Sequence, residues 1–419
     1  MHCRVPASLV ALALSGGSCT LALSRMDQPI PVQDSPLLEQ ILRGPEFEHV
    51  MQQADRHRLQ IILTQVDQVY GKPRLTHHSF RLRPREYFYP ASLVKLPTAL
   101  LALEKLHDLP AKQEITMNTP YQVLETSCEK ASGQTETNRR FTIRDDVMGS
   151  LVISDNPAFD RLYSWTGPAY LTETLRQRGY SSIQITHRLG SRCSVIENRT
   201  THPVVFLGPK GNYVQEPIVS DIYHAQCDDS DLVVGYPGDL RSFGQLSDFH
   251  WITIAALLPL AVEPQARFQL TDEDNVLLTD ALSRMPEDLA DSPYGKDKVG
   301  SALKFILLGG SRERIPASVR IFSKTGKALG FLSETGLYLD IESGTAFFLS
   351  ATLYVNYERS GNDVDHHYDD VGLPFLRDLG QRVLAAERAR GKDSAKLFSH
   401  LWPRTETLTT HGFPGASEN

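Results

Sequence analysis

"YPASLVKLPTALLALEKL", residues 89–106, sets a serine and a lysine one helical turn apart at the head of an apolar segment. Leucine, alanine and valine fill the rest at helical spacing, so the segment predicts a core helix. A charged amine in its first turn needs a reason. A serine at a helix N-terminus has backbone N–H groups pointing toward it and a dipole that favours negative charge. Lys95, three residues after Ser92, lies on the same helix face. An amine held dry beside other cations gives up its proton more readily and can act as a base for the hydroxyl. The plainer reading of this stretch alone is an N-cap serine beside a surface lysine. Pro97 removes an N–H just inside the helix and predicts a bend there.

The Ser-x-x-Lys pattern occurs three times, at Ser92/Lys95, Ser127/Lys130 and Ser301/Lys304. "SCEKASG" around Ser127 is polar and runs into Gly133, so no buried helix presents that serine. "SALKFILL" around Ser301 is apolar but ordinary, and its lysine can snorkel from a core helix. Two further stretches single out Ser92. "SDNPAFDRL" carries Ser154, Asp155 and Asn156, and "FSKTGKALGF" carries Lys324, Thr325 and Gly326 on an expected strand. Each alone has a plain reading, since Ser-Asp-Asn is commonly a turn or a cap. Only these three occur in the order Ser-x-x-Lys, Ser-Asp-Asn, Lys-Thr-Gly, the first opening a helix and the last on a strand. That trio is a known signature of penicillin-recognising serine enzymes.

The chain therefore resembles the class A β-lactamase-type serine hydrolases, from about residue 37 to 390. "WTGPAYLTETLRQRGY" after the Ser-Asp-Asn triplet is similar to that family's Gly-Pro-led helix. "ENRTTHPVVF" resembles its Thr-Thr-x-Pro exit from the omega loop. The resemblance implies roles position by position. Ser92 would be the nucleophile, Lys95 would accept its proton, and Ser154 would relay that proton to the leaving nitrogen. Asn156 would hold the substrate's side-chain amide, while Lys324 and Thr325 would bind its carboxylate. Gly326 would let the strand come close to the substrate. The backbone N–H groups of Ser92 and Lys327 would form the oxyanion hole. Two departures stand against the pattern. The span from Ser154 to Lys324 is longer than the family's, with the excess placed at about 204–250. The family's omega-loop glutamate, which activates the hydrolytic water, has no counterpart at the matching place. Cys193 falls there, and Glu197 lies close by without the spacing, as a candidate deacylation base.

Composition sets the outer bounds. With 419 residues, 41% hydrophobic and 22% charged, the chain can bury a real core. A net charge of −7 argues against nucleic-acid binding. Residues 1–24 read as a signal peptide cleaved after Ser24, with lipid attachment at Cys19 as the alternative. The protein is thus expected to be periplasmic or secreted, at a membrane only if lipidated. Export leaves Cys128, Cys193 and Cys227, an odd set that permits one disulfide without fixing the pair. Residues 391–419 read as a polar tail.

The expected fold is α/β, an α+β sandwich in which both termini build one antiparallel sheet with flanking helices. Residues 37–90 and 315–390 supply the sheet, and an all-α lobe is inserted at about 91–314. The expected function is opening of a β-lactam through an acyl-enzyme on Ser92, with slow release. A D-Ala-D-Ala carboxypeptidase or other amidase acting on cell-wall peptide is the alternative, as is a penicillin-binding sensor that acylates without turnover. No cofactor is expected. "DVDHHYDD", with His366, His367, Asp369 and Asp370, raises a metal site, but adjacent histidines in a polar loop more often face water, so no metal is expected.

Overall fold

The computed structural model describes residues 29–124, 140–191, 193–220, 241–289, 303–311, 315–356 and 366–401. The proposed signal peptide, Cys19, Ser127, Lys130, Cys128, Cys227 and Ser301 lie outside the described residues. The chain opens with two short helices, α1 (Pro36–Ile41) and α2 (Glu48–Met51), separated by Gly44-Pro45. Strands β1 (Gln60–Val69) and β2 (Lys72–Phe80) follow as a hairpin. Its two turn residues, Tyr70 and Gly71, both hold positive φ, 50° and 77°. A two-residue turn of that hand matches the twist of the strands it joins.

A 3-10 turn at Ala91–Val94 then leads into helix α3 (Lys95–His107). Pro97 falls in the first turn of α3, where backbone N–H groups lack partners anyway. The expected bend becomes a change of helix type at residues 94–95. The inserted lobe continues with β3 (Tyr121–Val123), α4 (Ile143–Val152), α5 (Asn156–Thr166), α6 (Pro168–Gln177) and the short α7 (Val195–Arg199). Strands β4 (Val204–Gly208) and β5 (Gly211–Gln215) come next, then α8 (Leu246–Leu257) and α9 (Asp272–Ser283). Thr271 caps α9 in a capping box with Asp274.

The last part of the chain supplies β6 (Val319–Ala328), β7 (Phe331–Asp340), β8 (Thr345–Tyr354) and the closing helix α10 (Leu373–Arg390). Strands from both ends form one antiparallel sheet in the order β2-β1-β8-β7-β6. Alternate residues divide between its two faces, as a period of two requires. Ile61, Leu63, Phe347, Leu349 and Leu353 pack toward α10, whereas Ile62, Val66, Phe348 and Leu337 join the core shared with the lobe. With both faces covered, every residue of β7 and β8 is buried.

Two expectations are corrected here. The lobe is not all-α: β3, β4 and β5 form a second, three-stranded sheet. Tyr121 and Phe206 stack across it at 5.2 Å. The stretch read as added length, about 204–250, accordingly opens with the β4–β5 hairpin and ends inside α8. Residues 391–401 also do not begin a loose tail. Ala395–Leu401 form a 3-10 helix with Phe398 and Leu401 buried. Ser394 and Ala395 donate to the carbonyl of Gly344 at 2.8 and 2.9 Å, docking this segment on the β7–β8 turn.

Candidate active site

The sheet edge strand β6, the head of α3 and the α4–α5 junction meet at one cleft of about 450 Å³. Ser92, Ser154, Asn156, Thr325 and Lys327 line it. Three local devices bring them together. The first is the approach to Ser92, where Ala91 takes a left-handed φ of 46° and turns the chain into the helix. Such a conformation is costly for a residue with a Cβ and persists only where its surroundings enforce it. The second is the elbow between α4 and α5. Ser154 holds φ 56° there, and Asp155 caps α5 by accepting from the Ala158 N–H at 2.9 Å. The third is Gly326 on β6. A Cβ at that position would stand 2.2 Å from the Pro90 carbonyl oxygen. Glycine thus lets β6 close on the chain that delivers Ser92.

Two lysines converge on a single hydroxyl. Lys95 is fully buried and its Nζ donates to the Ser154 carbonyl at 2.7 Å, to Asn156 Oδ1 at 2.7 Å and to Ser154 Oγ at 3.2 Å. Lys324 is 2% exposed and its Nζ donates to the same Ser154 Oγ at 3.1 Å. A hydroxyl has two lone pairs and one proton. Both amines thus donate to one hydroxyl, which itself lines the cleft. Asn156 joins this cluster to the loop after α6, since its Nδ2 donates to the Leu189 carbonyl at 3.2 Å.

A buried layer holds β6 from behind. Glu334, the register partner of Thr325, accepts from Ser323 Oγ at 2.5 Å and from the Ile306 N–H at 2.6 Å. Burial pushes its carboxyl above the usual range, against the hydrogen bond from Ser323. Lys304 does not snorkel to the surface as its sequence context suggests. Its Nζ donates to the Leu282 and Ser323 carbonyls at 2.6 and 3.1 Å, and burial lowers it to about 8. Those carbonyls and the nearby Glu334 compensate the ammonium inside the core. The strap also sets Leu303 and Phe305 into the cleft wall.

The loop at 187–199 is arranged differently. Cys193 is disulfide-bonded, and every other cysteine of the chain lies outside the described residues. Glu197 accepts from the Ser194 N–H at 2.7 Å, while Ser194 Oγ accepts from Glu197 N–H, a capping box at the start of α7. Neither Cys193 nor Glu197 lines the cleft. Asp160, which the motif reading passes over, is a buried carboxylate of α5 that faces this loop. It accepts from the Leu189 and Gly190 N–H groups at 2.6 and 2.9 Å. Burial pushes it up to about 6, against those N–H groups and the charges of Arg188 and Lys95. Its signal was the spacing Asn156-x-x-x-Asp160, which places both on one face of α5.

The far wall holds two more residues that spacing does not mark as part of this site, His366 and Tyr368. The Lys327 ammonium sits 4.6 Å from the centre of the Tyr368 ring, and the Gly330 N–H donates to the tyrosine hydroxyl at 2.7 Å. His367 turns away to Asp370, at 2.8 Å.

Residues 49–207 match the model of the beta-lactamase enzyme family, a span that holds Ser92, Lys95, Ser154, Asn156 and the loop at 187–199. Over this span, less than half of the chain, the sequence is similar to that family. No curated protein matches it in sequence. Solved structures to which it is similar include the beta-lactamase from Sphaerobacter thermophilus, 14% identical with a TM-score of 0.48, over 81% of this chain and 94% of that one. A class A beta-lactamase from Mycobacterium abscessus is 15% identical with a TM-score of 0.48, over 81% and 97%. An ancestral class A beta-lactamase is 17% identical with a TM-score of 0.45, over 80% and 98%.

Proposed function

We propose that this protein opens a β-lactam ring through an acyl-enzyme on Ser92 and releases the product slowly. The observation that carries the reading is the convergence of Lys95 and Lys324 on the Ser154 hydroxyl, in the cleft that Ser92 lines. Lys95 takes the Ser92 proton as Oγ bonds to the lactam carbonyl carbon. The ring C–N bond then breaks, and Ser154 hands a proton to the leaving nitrogen while Lys95 replenishes it. For this Lys95 must first shed one proton, because an ammonium has no lone pair with which to accept. Desolvation and the second amine at Ser154 both favour that loss. Lys324 and Thr325 would hold the substrate carboxylate and Asn156 its side-chain amide. The N–H groups of Ser92 and Lys327 would bind the oxyanion, each contributing on the order of 3 kcal/mol to the transition state.

Slow release follows from the loop. The hydrolytic water needs a base, and none of the described residues lining the cleft carries a carboxylate. The same observation favours, as the second reading, a penicillin-binding sensor that acylates and turns over little. Export by residues 1–24, to a periplasmic or secreted destination, belongs to the proposal and rests on the sequence of that segment. Intact-mass spectrometry after brief exposure to penicillin tests it. One adduct is expected, mapping to Ser92 and absent from Ser92→Ala; an adduct that persists on Ser92→Ala would sink the mechanism.

A further inference from the structure

In the loop at 187–199 Glu197 accepts from the loop's own backbone, yet the opposite wall of the cleft presents an imidazole. His366 lines the same cleft as Ser92. Its ring stands edge-on to Tyr368, with centroids 5.1 Å apart and planes at 69°. Tyr368 is itself fixed by the Gly330 N–H and by the Lys327 ammonium over its ring. The imidazole is therefore seated on a braced wall. Of its two nitrogens, Nδ1 is buried without a partner among the described residues. Apart from lysine and tyrosine, no other described cleft-lining side chain can take up a proton. Histidine is also the side chain whose ordinary ionisation lies nearest neutral pH.

We infer that His366 is the base for the second half-reaction. This rests on the acyl-enzyme reading above. Nε2 takes a proton from a cleft water as the water oxygen bonds to the acyl carbon on Ser92. The tetrahedral intermediate collapses, the bond from carbon to Ser92 Oγ breaks, and the imidazolium returns its proton to Oγ. Water is consumed and a free carboxylic acid leaves. The site would thus have moved its deacylation base from the omega-loop side to the wall beyond Lys-Thr-Gly. The segment that draws attention as a metal motif would serve as an acid–base element instead.

The test loads native protein and the His366→Ala and His366→Gln variants with penicillin, removes the excess, and follows loss of the adduct by intact mass. In both variants the adduct should still form and its release should slow by about 10²-fold or more. Free imidazole in the buffer should restore part of the release rate to His366→Ala, which a merely structural role would not produce. Adduct lifetimes equal to that of the native protein, a native adduct that is never released, or loss of acylation in His366→Gln would each overturn the assignment. Absence of any adduct on the native protein would instead overturn the acyl-enzyme reading, and this inference with it.

Discussion

The head of α3 and the loop at 187–199 flank the same junction, yet they use their polar groups for opposite ends. Around Ser92 the polar atoms face one another: Lys95, Lys324, Ser154 and Asn156 form one connected cluster at the cleft floor. In the loop they face the backbone. Asp160 holds Leu189 and Gly190, Glu197 holds Ser194, and Cys193 is consumed in a disulfide. A carboxylate that satisfies buried N–H groups stabilises a loop, but it is not available to orient a water. The groups proposed for forming an acyl-enzyme are therefore assembled, while the loop supplies none for breaking it.

The contrast is most exposed at Lys95. If its work is to accept a proton, Lys95→Arg should acylate as poorly as Lys95→Ala, because guanidinium does not deprotonate in this range. A loss of about 10²- to 10⁴-fold in acylation rate is expected for both. An arginine variant that acylates at the native rate would show that the buried cation only positions its neighbours.

The closeness of β6 to the Ser92 turn can be probed without touching a reacting group. Gly326→Ala forces a methyl against the Pro90 carbonyl. Overpacking of this kind typically costs about 1–3 kcal/mol. Thermal unfolding should reveal that loss, and penicillin acylation should fall more than stability alone explains. Native behaviour in both measurements would mean that β6 and the turn move apart at little cost.

A smaller effect should report on the loop. Burial raises Asp160 above the usual aspartate range, to about 6. An acid raised in the folded state binds its proton more tightly there than in the unfolded chain. Its contribution to stability is full below the unfolded value and is lost as pH rises through the folded one. Compared with Asp160→Asn, the native protein should therefore lose stability between about pH 4 and pH 6 and then level off. Denaturant titrations of the two proteins across that window check the slope; a difference that is flat or rises with pH would contradict the assignment.

Much of this was legible in the sequence because local chemistry and global placement agree. The Ser92/Lys95 spacing puts both on one helix face, Tyr70-Gly71 marks a tight hairpin, and Lys324-Thr325-Gly326 sits on a strand with two more behind it. What escaped depended on distant partners. The first half of β7 carries the polar residues Ser333, Glu334 and Thr335, yet Glu334 is buried because Ser323 and Ile306 supply its hydrogen bonds. The three-stranded sheet needs Tyr121–Val123 to meet a segment far along the chain. His366 lines the cleft beside Tyr368, which packs against Lys327 and Gly330, and no spacing rule encodes that. Glu197 is a different case. Ser194-x-x-Glu197 is itself a capping-box pattern, and it outweighs the neighbourhood that suggested a base.

The imbalance between the two regions should show as a burst. Penicillin mixed rapidly with the native protein should be opened in one quick turnover per enzyme, followed by a steady state limited by release from Ser92. The steady rate should fall in His366→Ala and be indifferent to Glu197→Gln. Fast, linear hydrolysis with no burst, unchanged in both variants, would show that another base serves the water and that the reading of the loop is wrong.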